Sequence, residues 1–317
     1  MSDKTTIRKL AAELSLSRST VHRALSGHPS VHQETRQKVL NAARKKRYEL
    51  FEYKKNIAII VPSLNWFGYL NCMMIALGRE FRRRGFLLEM VTYKDIELLK
   101  NYMFGGIVSL VWTKGLEKTL PQMFPVPILT VNAASNKLES VPAVISDPHG
   151  IRLALDYLHD RGCRKIFFIS PRLENIPDAV LRLIEFRKFC AETGQDYDTL
   201  HLELNGEEIE KNLSFILEAE PDACFCASET FSVRMGHLLS AAGKRIPEDI
   251  SLMGLEDDYA NKSFTPPITA IRQDFEQIAA VAAESMYQAI VNRIPPACAT
   301  IPFQLIERES VRKPPEI

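Results

Sequence analysis

Between Thr6 and Gly27 the side chains able to do chemistry are guanidinium, imidazole and hydroxyl groups, set at helical spacing. Arg18, Ser19, His22 and Arg23 fall on one face of a helix whose other face carries Val21, Ala24 and Leu25. A planar guanidinium donates two parallel hydrogen bonds and so matches the O6/N7 edge of guanine in the major groove. Ser and Thr hydroxyls reach phosphates or base edges. The same face also suits a solvated helical hairpin, so spacing alone does not decide. Charge adds weight to nucleic acid: through Asn56 there are 13 Lys/Arg and 5 Asp/Glu, a net +8 that leaves −7 for the remainder of a chain whose total is +1. A basic head on an acidic body calls for a polyanionic partner at the head.

Other chemistries find little footing. The six cysteines, Cys72, Cys163, Cys190, Cys224, Cys226 and Cys298, include no C-x-x-C pair. Cys224-Phe-Cys226 alternates inside an apolar run, as strand core does, so neither a disulfide framework nor a metal site is expected. G-x-G-x-x-G, Walker A, G-x-S-x-G and H-E-x-x-H patterns are missing from the sequence, and no cofactor or enzymatic reaction is expected. The first residues lack the apolar core of a signal peptide, and no run approaches the ~18 apolar residues of a membrane span. The expectation is a cytoplasmic protein that makes no use of a membrane.

The reading face needs elements to hold it. Apolar residues recur in three bursts, Ile7-Leu10-Ala11-Leu14, Val21-Ala24-Leu25 and Val39-Leu40-Ala43, which predict three short helices. Ser17 is a predicted N-cap of the second, and Gly27 with Pro29 ends it. Ala11 is small where two helices cross, and Ser15-Leu16 form the tight turn of a helix-turn-helix. From Ile57 onward, short β-branched runs alternate with amphipathic stretches, as parallel βαβ units do. Strands are expected at 57–61, 87–91, 107–110, 127–131, 143–145, 165–169, 223–226, 250–253 and 269–271, and helices at 71–84, 150–161, 179–192, 229–242 and 275–292. The fold class is therefore an all-α three-helix head on an α/β body of two doubly wound parallel-sheet subdomains. Ligands of such sheets lie beyond the carboxyl ends of the strands, here in a cleft between the subdomains.

The run Thr6 to Tyr48, with Ser17-Arg-Ser-Thr-Val-His-Arg-Ala-Leu-Ser-Gly and Val31-His-Gln-Glu-Thr-Arg-Gln-Lys-Val, resembles the DNA-binding domain of the LacI/GalR repressors. Similar landmarks continue through Ile57-Ala-Ile-Ile-Val-Pro, Val126-Pro-Ile-Leu-Thr-Val, Asp147, Arg161-Gly-Cys-Arg-Lys-Ile, Pro247-Glu-Asp-Ile-Ser-Leu-Met-Gly, Pro266-Pro-Ile-Thr-Ala-Ile-Arg-Gln-Asp-Phe and Leu305-Ile-Glu-Arg-Glu-Ser-Val. The resemblance implies a periplasmic-binding-protein-like body, an operator-binding homodimer and a sugar-like effector. It puts Arg18, Ser19 and Arg23 at base-reading positions, and Thr6, Ser17, Thr20, His22 and Ser26 at phosphate contacts. For the effector it implies Arg182 as an anchor and Asp147 and Glu256 as acceptors for hydroxyls, with Ser228 beside them. Trp66, Phe67 and Trp112 follow strand ends and suit either stacking on a sugar ring or packing in the subdomain core or dimer.

Departures are specific. Ser15 replaces the family's turn glycine, His32 its third-helix cap, Glu185 a glycine near the anchor, and Ser228-Glu229 an Asn-Asp pair. About eight residues, 49–56, connect head to body, barely two helical turns, without an Ala-x-x-Leu pattern. The usual hinge helix is therefore not expected, and Leu50 and Phe51 serve either as minor-groove wedges or in packing on the body. The expected layout is 1–48 for the head, 49–56 for the connector and 57–317 for the body. Within the body, the first subdomain is expected at about 57–160 plus 275–300 and the second at about 161–273 plus 301–317.

Overall fold

The computed structural model describes residues 6–46, 48, 55–64, 68–111, 114–132, 141–172, 177–203, 208–228, 230–256 and 259–314. Trp66, Phe67, Trp112, Glu229 and the connector residues 49–54, with Leu50 and Phe51, lie outside them.

The head is built from α1 (Ile7–Leu14), α2 (Arg18–Leu25) and α3 (Gln33–Lys45). Leu10, Ala11, Val21, Ala24, Leu25, Val39, Leu40 and Ala43 close into one buried cluster, so all three predicted apolar bursts face inward. Ser17 caps α2 by accepting from the Thr20 amide at 3.0 Å, and Thr6 caps α1 by accepting from Lys9 at 3.3 Å. Ser15 stands in the left-handed region at φ 54°, ψ 39°, the conformation its turn demands and glycine would adopt without strain. His32 precedes α3 and makes no side-chain cap bond.

The body contains two six-stranded sheets. The first runs in the order β11-β5-β4-β3-β1-β2, from β1 (Asn56–Val61), β2 (Leu87–Thr92), β3 (Gly106–Ser109), β4 (Ile128–Val131), β5 (Ala143–Ser146) and β11 (Ala299–Ile301). The second runs β12-β10-β9-β8-β6-β7, from β6 (Lys165–Pro171), β7 (Asp196–Leu202), β8 (Ala223–Cys226), β9 (Ser251–Leu255), β10 (Thr269–Gln273) and β12 (Phe303–Ile306). Pairs β1 to β5 and β6 to β10 are parallel, and β12 joins β10 antiparallel. Both sheets thus follow the doubly wound order in which the second strand lies outside the first and the third to fifth lie on its other side. The central strands are buried on both faces and read as continuous apolar runs, which is why they were legible.

The helices that cover the sheets are α4 (Gly68–Arg83), α5 (Lys114–Met123), α6 (Arg152–Asp160), α7 (Pro177–Thr193), α8 (Leu213–Glu218), α9 (Phe231–Ala241), α10 (Tyr259–Ser263) and α11 (Phe275–Tyr287), the last continuing as a π turn to Asn292. A 3₁₀ segment, Tyr93–Asn101, follows β2.

The chain forms two compact units, Met1–Trp66 with Met73–Ile145 and Glu276–Ala299 in the first, and Phe67–Cys72 with Ser146–Phe275 and Thr300–Ile317 in the second. The change of unit at Ile145/Ser146 corrects the expected subdomain boundary near residue 160. Ile151, Ala154, Leu155 and Leu158 of the α6 segment bury themselves among Phe168, Phe186 and Phe225 of the second unit, so α6 belongs there rather than with the strand before it. Gly150 admits that segment because Phe303 lies 2.0 Å from where a Cβ would stand.

Candidate nucleic-acid interface and ligand-binding residues

The cap and the turn fix which way α2 faces. With Val21, Ala24 and Leu25 buried against α1 and α3, the remaining face exposes Arg18, Ser19, His22 and Arg23. Thr6, Ser17 and Ser26 are exposed around it, and Thr20 is half-buried. The hydroxyls also hold the backbone: Ser17 Oγ lies 2.8 Å from both Ser19 Oγ and Thr20 Oγ1, and Ser26 Oγ donates to the Arg23 carbonyl at 3.2 Å. The eight residues expected to meet DNA thus all belong to α2 or its flanks, or to the cap of α1. Arg36 supports the loop after α2 by donating to the His28 carbonyl at 2.8 Å.

The far end of α3 turns toward the body within the same unit. Arg44 Nη2 donates to the carbonyls of Leu99 at 3.0 Å, Lys100 at 2.8 Å and Tyr102 at 2.6 Å, and its guanidinium carbon lies 5.5 Å from the centre of the Phe124 ring. Burial lowers the Arg44 pKa to about 10, which leaves it cationic at neutral pH. Gln37 Nε2 donates to Asn101 Oδ1, and Met103 packs on the cluster inside the head. Sequence reasoning missed this clamp, because Arg44 sits in Ala-Ala-Arg-Lys-Lys-Arg and reads as part of the basic DNA-facing charge.

Four of the expected effector residues are described, all in the second unit. Ser228 follows β8 and is buried, Glu256 follows β9, Arg182 is half-buried on α7, and Asp147 is half-buried just after β5. Ser228 and Glu256 therefore stand at carboxyl ends of adjacent strands, where ligands of such sheets bind. Glu256 is held in the left-handed region at φ 68°, and its carboxylate accepts from Gln273 Nε2 at 2.6 Å and from the Gln273 amide at 3.2 Å. Ser146 Oγ donates to Gln273 Oε1 at 2.5 Å, which completes a Ser146-Gln273-Glu256 chain. Asp147 accepts from the His149 amide at 2.9 Å, and its own amide donates to the Ile301 carbonyl at 2.8 Å. Gln273 was invisible as a site residue, although it lies in the quoted Ile-Arg-Gln-Asp-Phe run, because its role depends on β9 and β10 being neighbours.

Glu185 does not extend the Arg182 side of the site. It is buried, and its carboxylate meets His149 Nδ1 at 2.9 Å and Arg152 Nη1 at 3.8 Å, so it ties α7 to the start of α6. Ser170 Oγ and His201 Nδ1 lie 2.7 Å apart at the ends of β6 and β7. Ser170 is fully buried and its hydroxyl also meets the Pro171 carbonyl at 3.1 Å, so no substrate has access to it. Desolvation first, then the charge of Arg187, holds the His201 pKa below its usual value.

Residues 155–311 match the family of periplasmic binding protein-like domains. The chain is similar to the ribose operon repressor of Lactococcus lactis subsp. lactis, 25% identical over 337 aligned residues covering 98% of each. It is similar in structure to the transcriptional regulator CelR in complex with cellobiose, at 23% identity and TM-score 0.70 over 97% of this chain and 100% of that one. It is also similar to the lac repressor dimer bound to operator and the anti-inducer ONPF, at 18% identity and TM-score 0.67 over 98% and 100% of the two.

Proposed function

We propose that this chain is a transcription regulator of the LacI/GalR family, which represses transcription by binding operator DNA as a homodimer, under control of a sugar or sugar derivative bound by its body. The observation that carries this reading is the exposed Arg18-Ser19-His22-Arg23 face of α2, set by a capped helix on a closed three-helix core. Arg18, Ser19 and Arg23 read base edges. Thr6, Ser17, Thr20, His22 and Ser26 take phosphates and fix the register. One head reads one half-site, and the two-fold of a dimer supplies the other.

For the effector, Arg182 grips a vicinal pair of oxygens, and Asp147, Ser228 and Glu256 meet hydroxyls. Glu256 accepts twice from Gln273, which orients its carboxylate. Trp66, Phe67 and Trp112 follow the ends of β1 and β3 in sequence and offer ring faces for a sugar. The resemblance to a ribose operon repressor and to a cellobiose-bound regulator supports the sugar class. The chain carries out no reaction, and it works in the cytoplasm on the nucleoid.

A thermal-denaturation screen against pentoses, hexoses, cellobiose and uronic acids tests the sensing half. A ligand at 100 times its Kd stabilises the folded state by about 2.7 kcal/mol, and Arg182→Ala is expected to abolish the shift. Specific DNA binding that survives deletion of the head would reject the proposal as a whole.

A further inference from the structure

We propose a second ligand site, apart from the sugar site of the body, in the cavity between α3 of the head and the base of the first sheet, where it takes a compact aromatic carboxylate. The cavity measures about 460 Å³, within the size range of small-molecule sites. Its wall is made by the end of α3 with Tyr48, by Met103 and Phe104 before β3, by Phe124 and the prolines before β4, and by the segment after α11 that begins at Arg293. Among the described residues that line it, Arg44 and Arg293 are the charged ones and none is acidic. Two guanidinium groups in an otherwise aromatic and aliphatic wall are complementary to one anionic head on an apolar ring.

The chemistry is narrow for two reasons. An aromatic ring buries well against the Phe, Met, Pro, Ile and Val side chains of the wall. A carboxylate pairs with a guanidinium in a planar, charge-assisted geometry, and the desolvation that lowers the Arg44 pKa makes an anionic neighbour more favourable. Arg44 also holds the head to the Leu99, Lys100 and Tyr102 carbonyls. A ligand in this cavity therefore touches the clamp itself, and by linkage its binding biases where the head sits and how it meets DNA.

The test uses the full chain and 1-naphthoate as probe, with 1-naphthamide as its uncharged counterpart, by isothermal titration calorimetry. The expected result is saturable binding of the acid, about tenfold or more tighter than the amide, as a charge-assisted guanidinium pair requires. Arg293→Gln, at an exposed position, is expected to weaken it about tenfold, and Ile294→Trp, half exposed at the rim, to block it. Arg182→Ala is expected to leave it unchanged while removing sugar binding, so the two sites fail separately. Absence of binding at millimolar probe, equal binding of the amide, loss on Arg182→Ala, or indifference to both cavity variants would overturn the proposal. Binding only after Leu50→Ala with Phe51→Ala would assign the cavity to the chain's own connector and overturn it as well.

Discussion

Arg18 and Arg23 project from an exposed helix face with no role in the head's core, so their substitution separates reading from folding. Each bidentate base contact contributes about 1–3 kcal/mol of discrimination, so Arg18→Ala or Arg23→Ala should weaken operator binding roughly five- to 150-fold with an unchanged helical circular dichroism spectrum. Ser15 presents the opposite case. A non-glycine residue in the left-handed region costs about 1–2 kcal/mol, while glycine adds about 0.5–1 kcal/mol of chain entropy. Ser15→Gly should therefore raise the head's stability by up to about 1 kcal/mol in denaturant unfolding, without changing DNA affinity. His201 has its folded pKa held below the unfolded value near 6.5. The unfolded state then binds the proton more readily, so the stability linked to His201 is complete above pH 6.5 and is lost as pH falls through the folded pKa. Between pH 7.5 and 5.5 the melting temperature of His201→Asn should fall less steeply than that of the parent chain; equal slopes would mean His201 is not the group responsible. At this scale the family resemblance marked Ser15 as standing in for a turn glycine, and the sequence disclosed roles that depend on local pattern, such as the Ser17 cap. It hid those that depend on distant neighbours, such as Gln273 against Glu256.

Among the elements, α3 has the least expected role. Its predicted business was to complete the head's core, and Val39, Leu40 and Ala43 do that. Its last turn also fastens the head to the 3₁₀ segment after β2 through Arg44. Hydrogen bonds to a charged group contribute about 1.5–3 kcal/mol, and removing the donor leaves carbonyls to find water. Arg44→Ala should thus loosen the docked head: limited proteolysis should cut between head and body several-fold faster, while the head retains its helices. Unaltered cleavage would show that Gln37, Met103 and the remaining contacts suffice. Legibility at this scale followed burial. Strands buried on both faces, such as β1, β6 and β8, stand out as apolar runs, whereas β7, written Asp-Tyr-Asp-Thr-Leu-His-Leu along the sheet edge, has no such run and went unread. The three-residue β11 was too short to carry a pattern, and β12, Phe-Gln-Leu-Ile at the sheet edge and only half-buried, carries no continuous apolar run. The α6 helix was read correctly as a helix and given to the wrong subdomain, because an amphipathic face says that a partner exists but not which sheet it is.

In the whole molecule, a basic head and a body of two doubly wound sheets bring DNA reading and ligand sensing into one chain. The charge split of +8 before β1 and −7 after it already pointed to that division of labour. The short connector gives the coupling its particular character. Seven residues, 49–55, lie between Tyr48 and β1, and Arg44 fastens the end of α3 to the carbonyls of Leu99, Lys100 and Tyr102 in the body. The central claim is sequence-selective DNA reading by that helix. Its most direct measurement is selection of bound duplexes from a random pool by the full chain, followed by fluorescence anisotropy on the enriched sequence across a salt series. The account predicts an enriched two-fold symmetric site with half-sites about one helical turn apart, and a steep loss of affinity with salt. It further predicts that selectivity disappears in the Arg18→Ala, Arg23→Ala double variant while weak nonspecific binding persists. Enrichment of no sequence, or a selected site bound equally well by the double variant, would contradict it.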